Sequence, residues 1–289
     1  MASPRQRLGF AYRFVAAIVR PLLYLFTRRN WTGAERLPPV GTGVLVVANH
    51  ISHVDPLTFA HFLWENGRAP RYLAKEGVFR IPVAGRIIKA CGQIPVYRES
   101  RDAALAFRDA VAAIGKGECV AIYPEGTITR DPDLWPMEGK TGAARIALDT
   151  GCDVIPIAQW GAHEILAPYS KRPRLIPPKT MHVRAGAPVD LSDLRGQPVT
   201  PALLRTASDR ILDAITNELA VLRNEEPPAV RFDPRQSRLP KTGDPSKPST
   251  DADEPADGAA GGGPAAGGAA AAGGGAAGET PADTDGPTA

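Results

Sequence analysis

The chain has 289 residues, 43% of them hydrophobic, so it can bury one substantial core with an appendage. Its three cysteines are an odd number and widely spaced without a C-x-x-C pair, which argues against disulfides and a zinc site and indicates reduced core residues. Residues 244–289 carry eight acids against one lysine, a net charge of −7, so the whole-chain charge of +3 leaves +10 on residues 1–243. This charge favours an anionic partner: a phosphorylated metabolite, nucleic acid or an anionic lipid surface.

The N-terminal segment, residues 1–29, combines arginines with apolar residues. Arg13 and Arg20 are seven residues apart and therefore share one face of a helix, which leaves the other face apolar. Together with Pro21 they interrupt the apolar run, which is too short to meet the ~20 uncharged residues of a spanning helix. We predict an interfacial, membrane-associated helix, or a helical pair bent at Pro21. The alternative is an amphipathic helix docked on its own domain.

Short apolar, β-branched runs alternate with helical patterns between about Trp31 and Arg223. The predicted strands are GVLVVAN, CVAIYPEG, DVIPIAQWG and MHVRAG. The predicted helices are PLTFAHFLWENG, RDAALAFRDAVAAIGKG, KTGAARIALDTG and PALLRTASDRILDAITNELAVLR. This alternation predicts an α/β domain over residues 30–223, with a largely parallel central sheet flanked by helices. The remaining residues, 224–289, are predicted to be a linker and a disordered Ala/Gly-rich tail, because such a composition cannot offset its ordering entropy by burial.

The turn after the first of these predicted strands carries NHISHVD. Ser52, Asp55 and Pro56 are explained as the start of a helix, since Ser-x-x-Asp is a capping pattern and proline is tolerated in a first turn. His50 is not explained in this way. A helix N-terminus disfavours imidazolium, and Asp55 could accept Nδ1–H and leave Nε2 free to take a proton. We therefore interpret the pair as a general base and its orienting carboxylate, with the substrate supplying the hydroxyl.

Several blocks follow this turn in a fixed order. They are AKEGVFRIPVAG, GQIPVYR, YPEGT and VIPIAQWG. Together with NHISHVD they resemble the glycerolipid acyltransferase family, specifically 1-acylglycerol-3-phosphate acyltransferases, over roughly residues 30 to 190. The ordered set is specific, whereas each block alone is a weak signal.

The resemblance implies roles for individual residues. By position in the family's motifs, His50 and Asp55 would be the general base and its partner. Residues implied in binding the acceptor are Lys75, Arg98, Glu125, Gly126 and Thr127. The sequence departs from the family after EGT, where Ile128 stands, and Arg130 could serve instead. As alternatives, Glu125 could be a turn residue at a strand end, and Lys75 and Arg98 could be solvated surface charges.

The function that the resemblance implies is acyl transfer at a membrane. A fatty acyl group would pass from an acyl thioester, acyl-CoA or acyl-carrier protein, to the free hydroxyl of 1-acylglycerol 3-phosphate and give phosphatidate, with no metal and no cofactor. The alternatives are another acceptor, such as glycerol 3-phosphate or a glycolipid, and a non-catalytic membrane-binding protein. The expected partners are the lysophospholipid acceptor, the thioester and an anionic membrane surface at the cytoplasmic face of the cell membrane. Nucleic acid is not expected, because no motif interleaves basic and aromatic residues.

Overall fold

The four apolar segments predicted as strands lie next to one another inside a seven-stranded sheet in the computed structural model. The structure describes residues 8–96 and 103–237, and every structural statement below concerns these residues. In chain order the strands are β1 Thr27–Thr32, β2 Val44–Ala48, β3 Pro70–Lys75, β4 Ile94–Val96, β5 Cys119–Ile122, β6 Asp153–Trp160 and β7 Lys179–Ala185.

Helices connect most of these strands. They are α1 Phe10–Phe26, α2 Asp55–Glu65, α3 Glu76–Phe79, α4 Ala84–Ala90, α5 Ala103–Gly115, α6 Gly142–Thr150, α7 Ala162–Ile165 and α8 Pro201–Arg223. The predicted α/β class and the largely parallel sheet are confirmed. The spatial order of strands is β1-β7-β6-β2-β5-β3-β4, and among the paired strands only β6 and β7 run antiparallel.

Both faces of the central strand β2 are buried, and its side chains alternate between two cores. Val44, Val46 and Ala48 pack in the layer that contains Phe59 and Phe62 of α2. Leu45 and Val47 pack in the layer that contains α5, α6 and α8. A strand covered on both faces reads as a continuous apolar run in the sequence. This is why the sequence predicts β2 directly.

The carboxyl end of β2 lies where the order of the strands changes direction. After β2 the chain builds β3 and β4 on one side and returns to β5, which pairs with β2, before β6 pairs with the other edge of β2. In open α/β sheets, ligand sites form in the crevice at such a switch point, beyond the carboxyl ends of the strands. The NHISHVD turn begins at this position, immediately after Ala48.

Strands β1, β3 and β4 were not predicted from the sequence. β1 is an edge strand whose residues TRRNWT are mostly exposed, and β3 begins with a proline and ends with a lysine. An edge or partly buried strand has no continuous apolar run to mark it. Because β1 begins at Thr27, the predicted boundary between residues 29 and 30 falls inside a strand of the sheet.

Within the N-terminal segment, Phe10–Phe26 form one helix, α1, which continues through Pro21. One of its faces is docked on α2. The ring of Tyr12 stacks on Trp64 with 5.4 Å between centroids, and Arg20 Nη2 lies 2.6 Å from Glu65 Oε1. A second face carries exposed apolar residues, which are Phe10, Phe14, Ile18, Leu22 and Leu25. The docking predicted as the alternative is therefore observed on the first face, and membrane contact stays a prediction for the second.

Part of the segment predicted as a linker returns to the domain. The backbone N–H of Glu138 donates to the carbonyl of Phe232 at 2.8 Å. Arg231 forms ion pairs with Glu138 and Asp213. Residues 224–237 thus contact the domain after α8, and the predicted disordered tail at 244–289 lies outside the described residues.

Candidate active site

The turn that carries His50 is anchored to the neighbouring strand at its first residue. Asn49 is buried, and its side-chain amide and backbone carbonyl make three hydrogen bonds with Gln159 of β6. Asn49 Nδ2 donates to the Gln159 carbonyl at 3.0 Å, Gln159 N–H donates to Asn49 Oδ1 at 2.9 Å, and Gln159 Nε2 donates to the Asn49 carbonyl at 2.7 Å. Buried amides that are satisfied in this way fix a backbone position, since breaking one bond leaves its partner unsatisfied.

His50 and Asp55 are in direct contact, as predicted from their spacing. His50 Nδ1 lies 2.9 Å from Asp55 Oδ2. The same oxygen accepts the backbone N–H groups of Ile51 at 2.6 Å and Ser52 at 2.7 Å, and Asp55 is fully buried. A carboxylate in this position accepts a proton-bearing Nδ1, which places the lone pair of the neutral ring on Nε2. The imidazole side chain is 15% exposed, and Nε2 has no hydrogen-bond partner among the described residues.

Aromatic rings cover one face of the His50 imidazole. Tyr123, which follows β5, stacks on it with 4.2 Å between centroids and 20° between planes. Tyr72 of β3 is parallel to Tyr123 at 6.1 Å. Burial raises the pKa of both phenols well above the ordinary value, so both rings stay neutral. These tyrosines had no predicted role, because only strand pairing brings Tyr123 onto His50 and Tyr72 beside Tyr123.

Glu125 supports the backbone of the turn. Its Oε1 accepts the N–H of His50 at 3.0 Å, and its Oε2 accepts the N–H of Met137 at 3.1 Å. Thr129, in the same segment, donates its N–H to the carbonyl of His50 at 2.7 Å. Burial raises the pKa of Glu125 to about 8. Because Glu125 is only 3% exposed and both oxygens are engaged, it fits the alternative interpretation as a turn residue better than that of an acceptor ligand.

The other residues implied in acceptor binding occupy different environments. Gly126 is exposed with φ of +71°, and Thr127 is half-buried beside it. Arg130 is buried within the segment that supports the turn. Lys75 is exposed at the carboxyl end of β3, on the same edge of the sheet as His50. Arg98 lies outside the described residues.

A further cation near the turn was given no role from the sequence, where it lies in GKTG at 139–142, a segment that does not match a phosphate-binding loop. The side chain of Lys140 lies over Gly126, with Cε 3.3 Å from the place where a Cβ of residue 126 would sit. Its backbone N–H donates to the carbonyl of Pro124 at 2.9 Å. Gly126 leaves room for this side chain, and the positive φ would itself disfavour a larger residue.

The histidine between His50 and Asp55 in the sequence faces solvent and is not part of the pair. His53 is exposed, and its ring meets Tyr169 edge to face with 6.4 Å between centroids. Within residues 8–96 and 103–237, no three His, Cys, Asp or Glu side chains come together in a way that could hold a metal ion. In the same residues no helix has the length and the apolar character needed to cross a bilayer.

Comparisons with known proteins converge on one family. Residues 28–160 match the family model described as Acyltransferase. The chain is 32% identical over 157 residues to a chloroplastic 1-acyl-sn-glycerol-3-phosphate acyltransferase of Brassica napus, covering 54% of this chain and 44% of that protein. It is 33% identical over 134 residues to a 1-acyl-sn-glycerol-3-phosphate acyltransferase of Borreliella burgdorferi, covering 46% and 51%. The chain thus spans about half the length of these relatives.

A solved structure shares the fold. The crystal structure of the 1-acyl-sn-glycerophosphate acyltransferase PlsC from Thermotoga maritima superimposes with a TM-score of 0.57 and 22% sequence identity, over 75% of this chain and 81% of that one. At this identity the likeness concerns the arrangement of the sheet and its helices.

Proposed function

We propose that this chain, whose residues 28–160 match the acyltransferase family model, transfers a fatty acyl group from an acyl thioester to the free hydroxyl of 1-acylglycerol 3-phosphate and forms phosphatidate. The observation that carries the proposal is the contact between His50 Nδ1 and Asp55 Oδ2 at the carboxyl end of β2. The names of the relatives supply the acceptor, and the geometry supplies a base that can activate its hydroxyl.

The proposed chemistry needs one proton acceptor. Nε2 of His50 takes the proton of the acceptor hydroxyl while the hydroxyl oxygen attacks the thioester carbonyl carbon. The tetrahedral oxyanion then collapses, the carbon–sulfur bond breaks, and the thiolate leaves with the proton that His50 returns. Asp55 holds the ring orientation and stabilises the imidazolium formed in between. The donor is proposed to be acyl-CoA or acyl-carrier protein, and the steps require neither a metal nor a redox cofactor.

The acceptor phosphate is proposed to be met by cations at the same edge of the sheet. Lys75 and Lys140 are both exposed there, and Arg98 is assigned to this role by its position in the family motif. A charge-assisted contact of this kind contributes roughly 1.5 to 3 kcal/mol. The proposed membrane contact, at the cytoplasmic face, is made by the exposed apolar face of α1, since an amphipathic helix of this kind lies in the interface.

The test compares His50 with the neighbouring histidine. We expect His50→Ala to lower turnover by about 10²- to 10⁴-fold, the usual contribution of general-base catalysis, and Asp55→Asn to lower it over a comparable range. His53→Ala, a matched control three residues away, should keep most of the activity. Each variant is assayed by product mass with labelled acyl-CoA, after circular dichroism has shown that it is folded.

The same assay separates the proposed acceptor from its alternatives. Lysophosphatidate, glycerol 3-phosphate and a neutral monoacylglycerol are offered in parallel to the wild-type protein. We expect lysophosphatidate to give the highest kcat/KM. A higher kcat/KM for glycerol 3-phosphate would mean that glycerol 3-phosphate is the acceptor. A folded His50→Ala protein with normal turnover would refute the mechanism.

A further inference from the structure

A loop between α7 and β7 is exposed, basic and apolar at once. Residues 170–178, called here the basic loop, contain Lys171, Arg172 and Arg174, and all three are exposed. They are followed by Leu175 and Ile176, which are 37% and 81% exposed. No aspartate or glutamate occurs from residue 166 to residue 189. Adjacent exposed aliphatic side chains rimmed by charged residues are typical of protein and membrane interaction sites.

The cations of the basic loop are available to a partner. Within residues 8–96 and 103–237, Lys171, Arg172 and Arg174 have no carboxylate at salt-bridge distance. Surface arginines elsewhere are often paired, as with Arg80 and Glu76 at 2.6 Å. The nearest acid along the chain is Glu164, at the other end of the segment that leads into the loop.

The sheet register places the basic loop beside the end of α1. Lys179, the first residue of β7, pairs with Thr27, the first residue of β1, which directly follows α1. Parallel neighbours lie about 4.8 Å apart. The loop therefore emerges next to the last turn of α1, where Leu22 and Leu25 are exposed. Arg28 of β1 adds an exposed cation at the same place.

The base of the loop is also bound to the catalytic turn. Ser52 Oγ donates to the carbonyl of Leu166 at 2.7 Å. The Tyr169 hydroxyl donates to the carbonyl of Ile128 at 2.9 Å, in the segment that supports His50. The segment that leads into the loop is thereby attached to the turn that carries His50.

We infer that the basic loop is a second membrane-contact element, which inserts Leu175 and Ile176 at the headgroup boundary of an anionic bilayer while Lys171, Arg172 and Arg174 meet the lipid phosphates. The inference rests on the proposed function in one respect, because the acceptor of that function is itself a lipid. An acidic protein surface would explain the three cations but not the two exposed aliphatic side chains. The two exposed aliphatic side chains, and the continuity with the apolar face of α1, favour the bilayer.

The first experiment removes the charge of the loop. We compare the triple variant Lys171→Ala/Arg172→Ala/Arg174→Ala with a control that removes three exposed cations elsewhere, Arg108→Ala/Lys116→Ala/Arg205→Ala. Binding is measured by co-sedimentation with vesicles of phosphatidylglycerol and phosphatidylcholine, and with phosphatidylcholine alone. We expect the loop variant to bind anionic vesicles about ten- to a hundredfold more weakly, and the control to lose only a few-fold. Equal losses in the two variants would overturn the proposal.

The second experiment removes the apolar contact without a charge change. Ile176→Ser should weaken binding to both kinds of vesicle, whereas Val199→Ser, at an exposed valine before α8, should not. The same proteins are assayed with a short-chain acceptor below its critical micelle concentration and with an acceptor embedded in vesicles. We expect only the embedded acceptor to be affected.

The two readouts separate this inference from the proposed function. The inferred vesicle binding does not involve His50, so it is also measured with His50→Ala. This variant should bind vesicles normally, whether its turnover falls or not. If the loop variant loses activity on the soluble acceptor while its vesicle binding stays normal, the loop binds the thioester donor, and the membrane inference is wrong.

Discussion

The carboxyl group of Glu125 holds the His50 turn through one oxygen and the Met137 backbone through the other. Such a group is costly to bury as a carboxylate, which is why burial raises its pKa to about 8 from a model-compound value of 4.5. In the unfolded chain the proton is released near the lower value. Between the two pKa values the folded protein therefore binds more protons than the unfolded one, and the free energy of unfolding decreases as pH rises.

This sign leads to a prediction for Glu125→Gln. The glutamine keeps one acceptor oxygen but directs an NH₂ group at a backbone N–H, so we expect a loss of about 1 to 3 kcal/mol at neutral pH. The loss should be larger at about pH 5 than at about pH 8, because the wild-type carboxyl stabilises the fold most below its unfolded pKa. Urea unfolding at several pH values measures it. Glu164→Gln, at an exposed acid, is the control, and a pH-independent loss would show that Glu125 is already ionised in the fold.

Among the residues of the site, the sequence predicts contacts between near neighbours but not contacts made by strand pairing. His50 and Asp55 are five positions apart across a helix start, so local geometry alone predicts their contact. The stacking of Tyr123 on His50 follows from the pairing of β2 with β5, and the pairing of β5 with β3 adds Tyr72. These contacts join residues separated by tens of positions, and no local pattern announces them. Glu125 was offered from the sequence as a turn residue, but its bond to the His50 backbone could not be predicted for the same reason.

At the scale of elements, burial on both faces decides which strands can be recognised. β2, β5 and β6 lie inside the sheet and consist largely of buried apolar residues. The edge strand β1 has Arg28, Arg29 and Asn30 exposed, and its first three residues were assigned to the N-terminal membrane segment. Its hydrogen bonds to β7 come from tertiary pairing, which overrides the weak strand propensity of such residues. α1 ends where β1 begins, so deletion of residues 1–29 would damage the sheet.

The contribution of α1 to membrane binding is therefore better tested on its exposed face. We expect Phe14→Ser/Ile18→Ser/Leu22→Ser to weaken vesicle binding at least tenfold, since each buried apolar side chain contributes roughly 1.5 to 3 kcal/mol, part of which is realised at an interface. Thermal stability should change little, because the docked face with Tyr12 and Arg20 is kept. Flotation with lipid vesicles gives the binding, and unchanged flotation would exclude this face as an anchor.

A variant on the docked face of α1 serves as the control for the loss of vesicle binding. Arg20→Ala removes the ion pair with Glu65 and the contact of the guanidinium with the Trp64 ring, 5.9 Å from its centroid. The pair is partly exposed, so the loss of stability should stay within about 1 kcal/mol. Vesicle binding of this variant should remain close to that of the wild type apart from the loss of one charge. Strong loss in this variant would mean that docking of α1, and not its apolar face, controls the membrane contact.

The whole molecule combines a basic body with an acidic C-terminal segment. The +10 on residues 1–243 and the −7 on residues 244–289 add up to the whole-chain charge of +3, so the proposed attraction to an anionic surface is assigned to the basic body. The segment that leads into the basic loop is hydrogen-bonded to the His50 turn and to the segment that supports it, and the β1–β7 register places the loop beside the end of α1. The proposed lipid contact and the proposed catalytic residue thus lie at the same edge of the sheet.

Two truncations test where the folded body ends. Cutting after residue 243 should leave the melting temperature unchanged and strengthen binding to anionic vesicles at low salt, because seven net negative charges are removed. Cutting after Arg223 also removes the bond from Glu138 to Phe232 and the ion pairs of Arg231, whose side chain is 14% exposed. Losing about 1 to 2 kcal/mol there should lower the melting temperature by about 2 to 8 °C. Equal melting temperatures for the two truncated proteins, measured by calorimetry, would place the end of the folded body at α8 and not beyond Arg231.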